Sequence, residues 1–459
     1  MGRRIAIVGA SSAGFRQLSS LVKERYISEK YKDDEYYLIH DPDKVHDHMW
    51  SGTTPSFFDE LNEVTTMSRR WLQKYCSAVD CQGVKFIGWG KAKKNFTLGY
   101  RSQCAQHFDI EQFRQAWIKD GGQGFGDNVY IREQTVDSVS INASGCLLNG
   151  EEFDYIIDCC DKEPLGWEND YCDPSFKFVD TAFILEKPIK GDWDFTIEYA
   201  AKYGHITGIP LQDRQIWIYF FDNLARKDTT DKEILKEFAD IFPDEDISKY
   251  KHETINWVPK ISNYVIHPDN GRYIRNGNSL LQVESLSGTY HECHQVMADS
   301  IDRYLFWTGE DDDINEVKAH VQETFYDLLG VSYQTMLAFL YQYGSRYKTK
   351  FWKNAAEQAA TYLEGDRFLH PSYFPGHKWR DQVLNDKWTW KDYRKLIRLG
   401  GETEDIGGRQ LVMPFVIMND YTLFAELAIG LGAGYADRFR TLDLVEPPEP
   451  FGTIGYTYY

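Results

Sequence analysis

The chain is short of positive charge. Against 70 acidic residues it carries only 51 lysines and arginines, a formal net charge of -19 over 459 residues. Duplex nucleic acid requires a positive face to displace its counterions, so a broad nucleic-acid surface is excluded. Ordered cysteine patterns are missing too. The eight cysteines (Cys76, Cys81, Cys104, Cys146, Cys159, Cys160, Cys172 and Cys293) form no CxxC pair and no zinc-finger spacing. Thiols in a reducing cytoplasm, with no resident metal, are the simplest reading. His46-Asp47-His48 and His291-Glu292-Cys293-His294 each lack a second half at zinc-like spacing, and read as surface residues. Long apolar runs are absent. The most apolar late stretch, Leu423–Tyr435, is interrupted by Glu426 and by glycines and alanines, so no membrane partner is expected. The opening MGRRIAIVGASSAG has no apolar stretch of signal-peptide length, and Ala6 stands where a myristoylation pattern needs Ser or Thr. A cytoplasmic protein is therefore expected. There is no GxSxG elbow, no GK[ST] phosphate loop and no internal repeat.

Aromatic residues are what the chain has in excess: 13 Trp, 30 Tyr and 27 Phe, 15% of the total. They can fill a core or line a site for a flat ligand. With 42% hydrophobic residues, the chain can offset the entropy of ordering, and disorder is excluded. Its first forty residues read as a βαβ unit. A buried strand over Arg4–Val8 leads into a glycine turn, Gly9–Gly14, then a helix over Phe15–Tyr26 and a strand over Glu35–His40. Strands are expected at Gly83–Trp89, Asn95–Tyr100, Val136–Ile141, Cys146–Leu148, Phe153–Asp158 and Gln215–Phe220, and a helix at Ile110–Trp117. After about residue 290 the pattern turns helical and aromatic-rich, over 315–343, 350–365 and 390–399. The expected fold class is α/β: a Rossmann-like FAD-binding domain with an additional sheet (1–305), then an aromatic-rich helical region for substrate (306–459).

The dinucleotide signal is Gly9-Ala10-Ser11-Ser12-Ala13-Gly14, a GxGxxG variant with Ser11 at the middle glycine. Its chemistry needs a tight turn, close backbone approach and a helix N-terminus aimed at a pyrophosphate. An ordinary βα turn is the plain alternative. FAD suits this N-terminal placement better than NAD, and Asp41, just past the second strand, is a further candidate contact.

Six segments, in order along the chain, resemble the flavin-dependent halogenases of the tryptophan-halogenase family. They are IAIVGASSAGF; His107–Phe113; Phe153–Cys160; Gly208-Ile209-Pro210-Leu211-Gln212-Asp213-Arg214; Asn276–Tyr290; and Phe351-Trp352. The WxWxIP signature of that family is degenerate here, with His205 and Thr207 at the tryptophan positions. The family's catalytic lysine position aligns with Cys81, a poor substitute because hypohalous acid oxidises thiols. Lys85, four residues on, is the candidate catalytic lysine.

The resemblance implies reduced FAD delivered in trans by a partner flavin reductase, and hypohalous acid made from a flavin hydroperoxide and halide. That acid would halogenate an electron-rich aromatic small molecule. It also implies a catalytic Glu284, a flavin contact at Pro210, and a halide site from Ser285, Ser287, Gly288 and Thr289, where a desolvated anion gains donors. Two other functions stay open: a flavin monooxygenase hydroxylating the aromatic ring, and a flavin-binding protein without catalysis. Nothing in the sequence decides the oligomeric state, and a homo-oligomer stays open.

Overall fold

The computed structural model describes residues 2–43, 50–52, 67–90, 95–99, 105–119, 125–142, 145–160, 170–174, 177–222, 230–284, 286, 290–306, 313–326, 334–345 and 347–364. Its two main sheets use, in chain order, β1 (Arg4–Val8), β2 (Glu35–His40), β3 (Gly83–Ile87), β4 (Phe96–Gly99), β5 (Val129–Glu133) and β6 (Tyr155–Asp158). They continue with β7 (Thr181–Lys187), β8 (Thr196–Ala200), β9 (Gly204–Pro210), β10 (Gln215–Phe221), β11 (Lys251–Asn256) and β12 (Tyr273–Arg275). The first sheet is wholly parallel, in the order β12-β6-β1-β2-β5. The second has seven strands, β11-β7-β10-β9-β8-β3-β4, antiparallel except where β8 runs parallel to β3.

Each sheet follows from its sequence pattern. β1 reads IAIV without polar alternation because a central parallel strand is buried on both faces. β9 and β10 pair antiparallel, yet they too are buried at every position, because both of their faces are covered. One face of β10, with Ile216, Ile218 and Phe220, joins the main core. The other, with Trp217, Tyr219 and Phe221, is closed by Ile234 and Phe238, which lie on the helix Asp231–Ile241.

The expected βαβ start is present, but the helix α1 spans Ser12–Ile27 because Ser11 caps it, its side chain accepting from the Gly14 N–H. The expected strand to Trp89 ends at Ile87, where Gly88 and Gly90 turn the chain with φ of 73° and 80°. The periodic stretch 315–343 contains two helices, Ile314–Tyr326 and Gln334–Tyr343. The helix expected at 390–399 lies outside the described residues. Described residues beyond 306, among them Leu337, Tyr341 and Trp352, share one apolar core with both main sheets. No helix among the described residues is long and apolar enough to cross a membrane.

α1 packs on the later helix Tyr290–Phe306 around a buried acid. Asp302 accepts from Gln17 Nε2 at 3.1 Å and from the Ser20 hydroxyl. Burial pushes its carboxyl well above the usual carboxylate range. A carboxyl raised in the folded state loses stability as pH climbs past its unfolded value, because only the unfolded chain then ionises. Asp302→Asn keeps an acceptor for Gln17 and should raise the melting temperature by on the order of 3 °C at pH 8, and by nothing at pH 4. Equal shifts at both pH values would show that Asp302 is charged in the fold.

Candidate active site

The turn after β1 is built for close backbone approach. Gly9 has φ of 104°, and its N–H donates to the Ile39 carbonyl at 2.8 Å. A Cβ at Gly14 would lie 1.9 Å from the Gly9 carbonyl oxygen, so α1 can begin this close to the strand only with glycine there. Ser11 resolves its own misfit with the motif. Its Oγ accepts from Gly14 N at 3.3 Å and donates to the Cys159 carbonyl at 3.4 Å, so the side chain is spent on the protein. Ala10, Ser12 and Ala13 complete the turn, at the carboxyl end of the central parallel strand. Asp41 follows directly on β2, its Oδ1 accepting from the Asp43 N–H at 3.0 Å.

A second cluster is buried between the sheets and the later helices. Glu284 is 5% exposed, and its Oε1 accepts from the Tyr341 hydroxyl at 2.9 Å. That hydroxyl lies 3.2 Å from His205 Nδ1 on β9. Two residues along the same face, Thr207 donates to Glu198 Oε2 on β8 at 2.8 Å. Burial pushes the Glu284 carboxyl up to about 8, the Tyr341 hydrogen bond opposing and the nearby Glu198 adding to the rise. Burial alone takes His205 down to about 3. Aromatic rings wall the cluster. His205 stacks on Phe220 with centroids 4.9 Å apart, Tyr341 lies 4.0 Å from Phe178, and Trp89 packs edge-on to Trp352 at 5.5 Å. The indoles are pinned, Trp89 Nε1 donating to the Glu198 carbonyl and Trp352 Nε1 to that of Ala201.

Distant segments of the chain meet at these places. Arg214 pairs with Asp109, whose other oxygen caps the helix Ile110–Lys119 by accepting from Gln112 N at 2.8 Å. Asn276 N donates to the Asp158 carbonyl at 2.9 Å, and Cys159 N to that of Val8 at 2.8 Å. A five-stranded parallel sheet beside a seven-stranded, mostly antiparallel one has known counterparts. The chain has the fold of the flavin-dependent halogenases.

The tryptophan halogenase of Shewanella frigidimarina superposes with a TM-score of 0.66 at 16% identity, covering 94% of this chain and 95% of that one. A tryptophan 6-halogenase from Streptomyces toxytricini gives 0.64 at 16% identity, over 81% and 89%. A flavin-dependent halogenase from Brevundimonas sp. BAL3 gives 0.61 at 14% identity, over 86% and 94%. No family model and no curated protein sequence matches the chain.

Within this halogenase fold, the turn suits an FAD pyrophosphate in its close backbone packing, with Gly9 at φ 104° and no room for a Cβ at Gly14, and in the N-terminus of α1 that follows it. Among the described residues no cluster of three potential metal ligands occurs. Pro210 ends β9 in the other sheet, where a Cβ on Gly191 would come within 2.2 Å of it. Ser285, Ser287, Gly288 and Thr289 lie outside the described residues, as do His46, Asp47 and His48.

Lys85 stands on the exposed side of β3, whereas Val84 and Phe86 on the opposite face are buried. Nor do Cys81 and Lys85 share a strand face. Cys81 ends a separate short strand, Val79–Cys81, and Gln82 interrupts the pairing before β3 begins at Gly83, whose φ is 149°. Cys81 is itself buried, its thiol donating to the Gly83 carbonyl at 3.3 Å, and burial raises its pKa. The structure brings Glu284 to Tyr341 and His205, and leaves Lys85 facing solvent. Tyr341 carried no signal in the sequence: it is 57 positions from Glu284 and 136 from His205.

Proposed function

We propose that the protein is a flavin-dependent halogenase acting on an electron-rich aromatic small molecule. The observation that carries the reading is Glu284, a buried carboxylate raised to about 8 among aromatic side chains, within the halogenase fold. FAD, reduced by a partner reductase, would with dioxygen supply the oxidation of halide to hypohalous acid. The protein's own residues do the rest. The N-terminus of α1 and the Gly9–Gly14 turn would hold the pyrophosphate, Asp41 the adjoining ribose, and Pro210 would border the flavin. Ser285, Ser287, Gly288 and Thr289 supply N–H and O–H donors to the halide. The ring carbon takes the halogen from hypohalous acid as hydroxide leaves, the ring proton passes to the Glu284 carboxylate, and that proton then converts the hydroxide to water. The expected location is the cytoplasm.

The test is a product mass. Purified protein with FAD, a flavin reductase, NADH, bromide and an indole or phenol should give a halogen mass shift. Flavin binding with no product would overturn catalysis. A gain of one oxygen without halide would establish hydroxylation instead, the reading favoured by one feature: His205 and Thr207 stand where the family has indoles.

Lys85 serves as the internal control. Its exposed placement predicts that Lys85→Ala changes product yield by less than about threefold, against the 10²–10⁴-fold expected of a lost acid–base group. A hundredfold loss, with peroxide formation intact, would restore Lys85 as the catalytic lysine.

A further inference from the structure

Glu284 has two partners to which the proposed chemistry gives no part. We propose that His205 and Tyr341 are positioning residues for Glu284: the imidazole Nδ1–H donates to the Tyr341 oxygen, which turns the phenol O–H onto Glu284 Oε1. The assignment rests on Glu284 being the proton acceptor of the proposed reaction.

The geometry requires this direction. Tyr341 has a single proton, and in the ionised state it goes to Glu284 at 2.9 Å. The 3.2 Å contact with His205 Nδ1 must then be one in which the phenol oxygen accepts, which selects the Nδ1–H tautomer. The ring cannot turn away easily, because it lies against Phe220 at 22° and faces Trp89 at 6.2 Å. Among the described residues His205 Nε2 is buried with no hydrogen-bond partner, and the ring's only polar attachment is the one to Tyr341. Burial keeps the imidazole neutral, so it orients the phenol without storing the proton. Among the described residues the groups facing Glu284 are Tyr341 from the helix Gln334–Tyr343, His205 and Thr207 from β9, and Glu198 from β8. Glu198 raises the Glu284 pKa, and Tyr341 alone among these lowers it. The chain of two hydrogen bonds therefore holds a buried carboxylate within reach of ionisation near neutral pH, and fixes which oxygen is left for the ring proton. His205 stands at one of the two positions where the family's signature has indoles.

Infrared titration of the flavin-free protein from pH 6 to 10 tests it, with the carbonyl band of the buried carboxyl assigned by its loss in Glu284→Gln. The wild-type midpoint should fall at about 8. Tyr341→Phe, which keeps the ring and its packing, should move it up by about one unit or more. His205→Phe should move it up by about half a unit, and His205→Asn, whose Nδ2–H stands in for Nδ1–H, should restore most of that. In turnover, Tyr341→Phe should shift the kcat profile alkaline by the same amount and leave KM for the aromatic substrate unchanged. An unmoved midpoint in Tyr341→Phe, or a His205→Asn no closer to wild type than His205→Phe, overturns the proposal. Moved midpoints in a protein that makes no halogenated product uphold the hydrogen-bond chain and remove the reaction. Product with unmoved midpoints does the reverse.

Discussion

Glu284→Gln is expected to lower the rate of halogenated product formation by about 10²–10⁴-fold. The amide is nearly isosteric and still offers an oxygen to the Tyr341 hydroxyl, so the hydrogen bond at 2.9 Å survives. What disappears is the group that can take a proton from the ring. Because burial and Glu198 raise the carboxyl to about 8, it is mostly protonated at pH 7. The reactive form is the ionised one, so the wild-type rate should climb about tenfold per unit below pH 8 and level off above it. Stability runs the other way. A carboxyl with a raised folded pKa weakens the fold as pH rises from the unfolded value of about 4 to the folded one. Glu284→Gln should accordingly melt higher than wild type at pH 9 and equally at pH 4. Product mass spectrometry against pH, with calorimetry of both proteins, checks both arms. A variant that keeps half the wild-type rate would remove Glu284 from the chemistry, whatever its melting temperature.

Gly14→Ala should cost about 10–100-fold in FAD affinity. The added methyl would sit 1.9 Å from the Gly9 carbonyl oxygen, and the obstacle is the backbone of the turn directly after the central strand, not the end of a flexible side chain. The helix N-terminus must move away from the turn, at the 1–3 kcal/mol typical of overpacking. The same movement carries the Ser11 cap away from the Cys159 carbonyl. Gly150→Ala is the matched control. Gly150 also has a positive φ, 84°, but a Cβ there meets nothing within 4 Å, so flavin affinity should be unchanged although the turn is strained. Flavin fluorescence titrations of the two variants decide it, and equal affinities would mean that the Gly9–Gly14 turn does not hold the cofactor.

Much of the fold was legible because its signals are local. The apolar run of β1, the glycine turn and the strand Glu35–His40 identify a βαβ unit at the start, and the parallel sheet confirms it. Helix limits slipped where a side chain intervened: Ser11 extends α1 by three residues beyond the expected start at Phe15. Of the candidate residues, Gly9 and Gly14 lie where the backbone approaches closely and Glu284 is buried, whereas Lys85 is exposed, because strand alternation turns it away from the buried Val84 and Phe86.

What local chemistry settled unaided was the class of protein: acidic, rich in aromatic residues, opening on a βα glycine turn suited to a dinucleotide. Hydrophobic period and turn chemistry are read over a few residues, and no long-range information is needed. Only the tertiary structure decided which side chains act on one another. Glu284, Tyr341 and His205 come from a loop, a helix and a strand, and Thr207 reaches Glu198 from the neighbouring strand. The reason is physical: a carboxylate reaches about 8 through the removal of water on every side, and burial is a property of the packed chain rather than of any residue in it.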